Sequence, residues 1–359
     1  MDIKRIRMDL HQIPELGRCE VKTKDYIMKF LRAYSCTVYE PTPTGVVAYI
    51  DAGRKKTICF RADMDGLKIL EKTEVAYTSR HPGVMHACGH DGHMAMLLGF
   101  IAWACEHKSV LHKNIVCLFQ PSEEEGAGAL DILSSGILEQ LQVEEMYGIH
   151  LWPMLKTNQL YTMPAAMLAS SSEVNVEFFG KSAHAANRQE GIDALRISTE
   201  FIRECYEVFS NLTEPHLLSF GTLKAGGVRN AVADYARLEG TMRCYTDDVF
   251  VKMKNILLEL IQKFEDLYKV KILLQANDLY KSVINSKELI DEYRETLSLE
   301  SLAEPFLQAE DFGCYTRRYK SMFLLLGIGD AHLLHTDNFD FDMNILDTGV
   351  EAYKRIAIK

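Results

Sequence analysis

The sequence predicts an α/β protein that carries a second, inserted α+β domain, and three observations lead to this fold class. Short apolar strands alternate with helices over residues 1–170, which is typical of a sheet covered by helices. Residues 171–279 then follow the order β-α-β-β-α-β, the order of a ferredoxin-like unit. Helix and strand alternate again over 280–359. We therefore predict one domain with a mixed sheet flanked by helices, formed by the two outer segments, and a ferredoxin-like domain inserted between them.

The individual elements follow from apolar runs and from the turns that separate them. In the first segment we predict two helices within 1–35, strands at 45–50, 57–60 and 114–119, a further strand ending at 148–153, and a helix that reaches about residue 107. In the inserted segment we predict a strand at 173–179, a helix at 191–210, strands at 217–224 and 232–243, a helix at 247–268 and a strand at 270–275.

Composition restricts the classes of function. The chain has 359 residues, 47% of them hydrophobic and 25% charged, with a formal net charge of −10. This charge argues against binding to nucleic acid or to an anionic membrane surface. The nine cysteines are scattered, and several lie in apolar runs, which favours free thiols in a reducing compartment. Because the N-terminus lacks an apolar signal and no apolar run reaches membrane-spanning length, we expect a cytoplasmic protein.

The motif His-Ala-Cys-Gly-His-Asp-Gly-His at residues 86–93 is the most informative stretch of the sequence. Thiolate and imidazole together favour zinc, nickel, cobalt or manganese over calcium. In an extended segment, Cys88 and His90 would point to the same side. Asp91 precedes an apolar helical run and is therefore a candidate N-cap. The alternative interpretation is a helix entry that is merely rich in histidine.

Acidic and imidazole side chains also follow three separate predicted strands, at the edge where α/β folds place their sites. Together with the motif, they form one candidate set: Asp63, Asp65, Cys88, His90, Glu123, Glu124, His150 and His335. Five or six such ligands would hold two divalent ions, whose shared site could activate a water molecule. Of the adjacent Glu123 and Glu124, one would bind metal and the other would act as general base. The residues alone do not decide which glutamate has which role.

With these residues the chain resembles the metal-dependent amidohydrolase branch of the family that also holds aminoacylase and carboxypeptidase G. The resemblance covers nearly the whole length. It rests on the matching segments 10–17, 61–67, 86–93, 120–124, 148–153, 180–186, 240–243 and 310–313.

The resemblance implies a role for individual residues. The metal ligands of the branch fall at Cys88, His90, Glu124, His150 and His335. Its general base falls at Glu123 and its active-site aspartate at Asp63. A histidine that crosses a dimer interface and stabilises the oxyanion falls at His184. Asn230 and Arg243 fall at polar positions suited to a substrate carboxylate, with a structural hydrogen bond or a surface charge as the alternative for each.

The resemblance further implies two divalent metal ions, a catalytic main domain, and an inserted domain that serves as lid and dimerisation domain. The implied activity is hydrolysis of a small N-acyl amino acid, with N-acetyl-LL-2,6-diaminopimelate of lysine biosynthesis as first choice. Hippurate-type and other N-acyl amino acids are the alternative substrates. Two other classes of function stay open from the sequence: a cysteine hydrolase with Cys88 as nucleophile, and a non-catalytic metal-binding scaffold.

Overall fold

The computed structural model describes residues 1–359, except for the side chains of residues 277–279. The helices are α1 (Ile3–His11), α2 (Val21–Leu31), α3 (His90–Glu106), α4 (Gly128–Ser135), α5 (Ile137–Gln140), α6 (Ala194–Phe209), α7 (Asp247–Tyr268), α8 (Lys287–Leu297), α9 (Gly313–Thr316) and α10 (Leu346–Ala357). The strands are β1 (Thr37–Tyr39), β2 (Val46–Ile50), β3 (Thr57–Asp63), β4 (Asn114–Gln120), β5 (Val143–Trp152), β6 (Leu160–Thr162), β7 (Ala165–Phe179), β8 (His216–Ala225), β9 (Tyr235–Cys244), β10 (Lys271–Tyr280), β11 (Val283–Asn285), β12 (Glu300–Ser301), β13 (Phe306–Ala309) and β14 (Lys320–Gly327). Short 3-10 helices lie at Lys108–Val110, Ala185–Glu190 and Met343–Ile345.

The chain divides into two compact units. The first consists of Met1–Met167, Val283–Pro305 and Asp311–Lys359. The second consists of Leu168–Ser282 together with Phe306–Glu310. The last of these segments differs from the predicted division, which placed it in the main domain. It belongs to the second unit because β13 pairs in parallel with β7, a contact between residues distant in sequence.

The first unit is built on an eight-stranded mixed sheet in the order β1-β2-β4-β3-β5-β14-β6-β12. The central strands β4, β3, β5 and β14 are parallel to one another. Every residue of β3 and of β4 is buried, as expected for parallel strands that are covered on both faces. Their carboxyl ends therefore meet at one edge of the sheet, and this geometry assembles the site described below.

Helix α3 is a core helix rather than a surface helix. Its residues are buried almost all round, and it packs against α1, α10 and β3. Phe100 of α3 lies 4.9 Å, centroid to centroid, from Phe60 of β3, and Phe60 lies 4.9 Å from Tyr353 of α10. This aromatic cluster holds α3 against the sheet and thereby fixes the position of its first turn.

The second unit contains the antiparallel sheet β10-β7-β9-β8 and the helices α6 and α7. Its element order is β-α-β-β-α-β, as the sequence predicts. Both helices are amphipathic, and Phe178, Phe201 and Phe264 join them to the sheet through edge-to-face ring contacts of 5.4 and 5.3 Å. The predicted fold class, a mixed α/β protein with helices flanking a mixed sheet, is confirmed.

Candidate metal centre and active site

The carboxyl ends of β3, β4 and β5 deliver the first group of functional side chains. These strands are neighbours in the order β4-β3-β5, so their ends lie side by side. Asp63 is the last residue of β3, His150 lies near the end of β5, and the loop after β4 carries Glu123 and Glu124. Asp63, Glu123 and His150 are all buried.

The start of α3 delivers the second group. Gly89 is the N-cap and has a φ of 87°, a left-handed conformation that favours glycine. The turn places Cys88 just before the helix and His90 at its first position. The predicted extended arrangement of these two residues is therefore wrong, and so is the predicted N-cap at Asp91, which lies buried inside the first turn.

The five predicted metal ligands converge in the first unit. Cys88 Sγ lies 3.5 Å from His150 Nε2 and 3.3 Å from His335 Nε2. His335 Nε2 lies 3.1 Å from Glu124 Oε1, and His90 Nε2 lies 3.8 Å from the same oxygen. The thiol thus stands between His150 and His335, and the glutamate stands between His335 and His90.

Backbone carbonyls orient two of these imidazoles. His90 Nδ1 donates to the carbonyl of Asp65 at 2.8 Å, and His150 Nδ1 donates to the carbonyl of Leu151 at 2.7 Å. In each ring the proton on Nδ1 leaves Nε2 as the free lone pair, which is the usual arrangement for a metal-binding histidine. His335 is held by its backbone N–H on the carbonyl of Ala87, in a left-handed conformation with φ 63°. Such strain is typical of functional positions.

The donor set fits divalent metal ions. His90 Nε2 and Glu124 Oε1 are buried, and within the part of the chain described here neither takes part in a hydrogen bond, although His335 Nε2 lies within ion-pair distance of Glu124 Oε1. A buried polar atom that lacks a hydrogen bond is costly, and a cation would satisfy both atoms. Ligand atoms of Cys88, His90 and Glu124, one from each, lie within 4.8 Å of one another, and the same holds for Asp63, His90, His93 and His150.

The pKa shifts in the site also favour a cation. Burial raises the pKa of the Cys88 thiol well above its ordinary value, and Glu124, Glu123 and Asp63 raise it further. Burial alone would lower the pKa of His90, but Asp63, Asp65 and Glu124 raise it to about 10. The contributions of the carboxylates to both shifts reflect surplus negative charge, which a divalent ion would neutralise while displacing the protons. Burial and the neighbouring His93 instead hold the pKa of His150 well below its ordinary value, so this ligand is neutral.

Asp65 organises the two glutamates. Its Oδ1 accepts the backbone N–H of Glu123 at 3.0 Å, and its Oδ2 accepts that of Glu124 at 2.9 Å. The same residue orients His90 through its carbonyl. The sequence pattern places Asp65 among the strand-end groups but indicates no role for it, because no local motif shows that the 121–126 loop returns to the end of β3.

Asp63 lies in a buried ion-pair network that includes His90. It accepts from Arg61 Nη1 at 2.7 Å and from His93 Nδ1 at 2.6 Å, and it lies 3.6 Å from His90 Nε2. Burial alone would raise the pKa of Asp63, but His90, His93 and Arg61 hold it well below its ordinary value. His93 was not predicted as a site residue. Its Nε2 accepts the backbone N–H of Leu151, so both ring nitrogens are used and His93 orients Asp63.

A second buried network lies behind the first turn of α3. Asp91 Oδ2 accepts from Arg7 Nε at 2.8 Å and pairs with His11 Nδ1 at 2.7 Å. Burial alone would lower the pKa of His11, but Asp91 and Glu71 raise it to about 9. These contacts tie α1 to the residue that follows His90, and they give His11 a structural role.

The remaining three predicted site residues lie in the second unit. His184 is exposed, and its Nδ1 accepts the backbone N–H of Ala186 at 3.2 Å. Asn230 is exposed, and its backbone carbonyl accepts the backbone N–H of Ala185. Arg243 is half-buried and donates through Nη1 to the carbonyl of Leu307 at 2.7 Å. Arg243 thus has the structural hydrogen bond that was its alternative interpretation.

Comparison with known proteins places this site in a family. The family model described as Peptidase family M20/M25/M40 matches residues 59–359. The chain belongs to this family. It is 31% identical to an N-acetyldiaminopimelate deacetylase of Lactobacillus helveticus, over 99% of this chain and 97% of the relative. It is 32% identical to the protein of the same name from Streptococcus pneumoniae, over 98% of this chain and 97% of the relative.

A solved structure supports the metal assignment. A dinuclear metal-binding peptidase of the M20 family from Bacillus subtilis superposes with a TM-score of 0.87 and 25% identity, over 99% of this chain and 96% of that one. The expected resemblance to the metal-dependent amidohydrolases is therefore confirmed, and so are the expected enzyme class and a site suited to two divalent ions. Among the described residues, no helix combines the length and apolar character that a membrane crossing requires.

Proposed function

We propose that this M20 enzyme removes the acetyl group from N-acetyl-LL-2,6-diaminopimelate, releasing acetate and LL-2,6-diaminopimelate for lysine biosynthesis. The substrate is supported by the names of relatives that match along the whole chain. The observation that carries the chemistry is the convergence of Cys88, His150, His335 and Glu124 beside a second, buried glutamate. A non-catalytic scaffold would have no use for that second glutamate.

Glu123 is the proposed general base. When bound, two divalent ions would lower the pKa of a water molecule and polarise the amide carbonyl. Glu123 is buried, and the Asp65 carboxylate holds its backbone while Asp311 donates a backbone N–H to its Oε1 at 3.3 Å. In this position Glu123 takes a proton from the attacking water and passes it to the leaving amine, which departs neutral. We assign the metal-binding role to Glu124, together with Cys88, His90, His150 and His335.

His184 is the proposed oxyanion donor. Because its Nδ1 accepts a backbone N–H, the neutral ring carries its proton on Nε2, and the exposed side chain can present that proton to a substrate oxygen. Asn230 and Arg243 are the proposed contacts for a substrate carboxylate. Asp63 is proposed to act as the active-site aspartate by keeping His90 and His93 in place.

The protein is proposed to form a homodimer through its inserted domain, which also acts as a lid. Strand β8 is an edge of the second sheet, and within the described part of the chain it pairs with β9. An edge strand of this length presents unpaired backbone groups that a second copy can cover. We place the enzyme in the cytoplasm, where its free cysteines would stay reduced.

Acetate release from a panel of N-acyl amino acids tests the substrate. The panel contains N-acetyl-LL-2,6-diaminopimelate, N-acetylglycine, N-benzoylglycine and an indole-acyl amino acid, each assayed with zinc, manganese, cobalt and nickel. We expect the highest kcat/KM for the acetylated diamino acid. A preference for the benzoyl or indole-acyl substrate would move the protein to the hippurate-type alternative without changing the metal chemistry.

Chelation separates the metalloenzyme from the cysteine hydrolase. A metalloenzyme loses turnover when its metal is removed and regains it when metal is returned. A Cys88 nucleophile would keep its activity in the chelator and lose it to iodoacetamide. Full activity in a protein that metal analysis shows to be free of metal would refute the proposed mechanism.

A further inference from the structure

An open groove lies in the second unit. Its volume is about 740 Å³, within the range of small-molecule sites. Residues 226–231, Asp193, Leu195, Ala225 and Ala233 line it. Asn230, one of the proposed substrate contacts, is among these residues. His184 pairs in a β-bridge with Ala231, so the groove adjoins the segment that carries the proposed oxyanion donor.

Arg229 contributes a positive charge to this groove. It is exposed, and among the described residues it has no ion-pair or hydrogen-bond partner. The turn that carries it is nevertheless held at both ends. Gly226 donates its N–H to the carbonyl of Tyr235 at 3.1 Å, and the carbonyl of Asn230 accepts from Ala185 at 3.0 Å. A guanidinium on a held turn is a suitable partner for a carboxylate, because its planar donors match the two oxygens.

Asp193 contributes a negative charge to the same groove. It is the N-cap of α6, and its Oδ1 accepts the backbone N–H of Arg196 at 3.2 Å. The next residue, Ala194, donates its N–H to the carbonyl of Ala233 at 2.8 Å. These two contacts fix the start of the helix at the groove. One carboxylate oxygen caps the helix, and the other can accept from an ammonium group.

We propose that this groove binds the free amino-acid end of the substrate, with Arg229 on its carboxylate and Asp193 on its ammonium. This inference rests on the proposed function, because N-acetyl-LL-2,6-diaminopimelate carries both charges on the carbon farthest from its amide. A groove with charges of only one sign would bind either the carboxylate or the ammonium of this end, but not both. The two residues therefore select diamino dicarboxylates over monocarboxylate N-acyl amino acids.

Three substrates that share the acetylated end separate the two contacts. N-acetyl-LL-2,6-diaminopimelate has both far charges, N2-acetyl-L-lysine lacks the far carboxylate, and N-acetyl-L-2-aminopimelate lacks the far ammonium. Each is assayed for kcat/KM with the metal-loaded wild type, Arg229→Met and Asp193→Asn. Asparagine caps a helix as well as aspartate does, so the second variant removes the charge and keeps α6. Arg203→Met, on an exposed arginine of α6 that pairs with Glu207, is the matched control.

We expect Arg229→Met to lower kcat/KM by about 10–100-fold for the two substrates with a far carboxylate, and to leave N2-acetyl-L-lysine within about threefold. Asp193→Asn should lower kcat/KM for the two substrates with a far ammonium and leave kcat/KM for N-acetyl-L-2-aminopimelate unchanged. Arg203→Met should change kcat/KM for none of the three substrates. Equal losses on all three substrates, or no loss on any, would overturn the proposal.

The failure of this inference is distinguishable from failure of the proposed function. A wild type that releases acetate from none of the three substrates contradicts the proposed function. Calorimetric binding of LL-2,6-diaminopimelate to the full chain then decides on the groove. Binding weakened about tenfold or more in Arg229→Met and Asp193→Asn supports the groove, and equal affinity in all variants overturns it.

Discussion

Replacement of Asp65 by asparagine should separate the geometry of the site from its chemistry. Asp65 does not contact substrate in the proposed mechanism, but its two carboxylate oxygens accept the backbone N–H groups of Glu123 and Glu124 at 3.0 and 2.9 Å. Asparagine has one acceptor oxygen, and its amide NH₂ would face the other N–H. One charge-assisted hydrogen bond is therefore lost, one becomes neutral, and a buried donor remains without an acceptor.

The expected magnitude follows from these contacts. A hydrogen bond to a charged group contributes about 1.5–3 kcal/mol, and an unsatisfied buried donor costs about 1–3 kcal/mol. The 121–126 loop should thus lose roughly 2–5 kcal/mol of local stabilisation. A displacement of Glu123 by about 1 Å is enough to lower kcat roughly 100-fold. The backbone carbonyl that orients His90 is unchanged, so His90 should still bind metal.

Acetate release, metal analysis and urea unfolding measure these effects together. We expect Asp65→Asn to lower kcat about 100-fold with a small change in KM. Asp342→Asn is the matched control, since Asp342 also accepts a backbone N–H, from Asn344 at 2.9 Å, at an exposed position. Turnover of Asp65→Asn within about threefold of the wild type would refute the argument that this carboxylate positions the glutamates.

Three further predictions concern the ligands, the oxyanion donor and the buried network. Cys88→Ala and His150→Ala should each lower bound metal and abolish turnover without loss of helix content, which elemental analysis and circular dichroism would check; full metal occupancy with a normal rate would remove either residue from the ligand set. His184→Ala should lower kcat by roughly 10²–10³-fold at unchanged metal content. If His184 acts across a dimer, mixing the His184→Ala chain with an inactive Glu123→Gln chain should restore part of the activity. No recovery after verified subunit exchange would exclude that arrangement. His11 has its pKa raised to about 9, so its contribution to stability is present below pH 6.5 and is lost as pH rises through 9. Urea unfolding at pH 6 and pH 10 should therefore show a loss that is about 3 kcal/mol larger in the wild type than in His11→Asn, and equal losses in both proteins would contradict the charged state of His11.

Sequence patterns predicted those parts of the site that lie at the ends of strands. Asp63, Glu123 and His150 follow or end buried strands, and the parallel arrangement of β4, β3 and β5 brings strand ends together without further information. The histidine-rich motif was visible because it combines soft and imidazole donors in one short stretch. These are local features of the chain, and local features are what a single sequence displays.

The features that the sequence did not predict depend on contacts between distant residues. The role of Asp65 requires a loop 58 residues later to return to it. The position of Asp91 depends on Arg7 and His11, whose ion pairs draw its side chain into the core instead of leaving it as a cap. Likewise, Phe306–Glu310 joins the second unit through pairing with β7, which no local pattern indicates.

Acetate release by a fully metal-loaded Glu123→Gln enzyme tests the central claim most directly. Glutamine keeps the shape of the side chain but cannot take a proton from water, so at a metal content equal to that of the wild type we predict a rate about 10²–10⁴-fold lower. A Glu123→Gln enzyme that loses its metal would make Glu123 a ligand instead of the base. A rate close to that of the wild type, at equal metal content, would contradict the account.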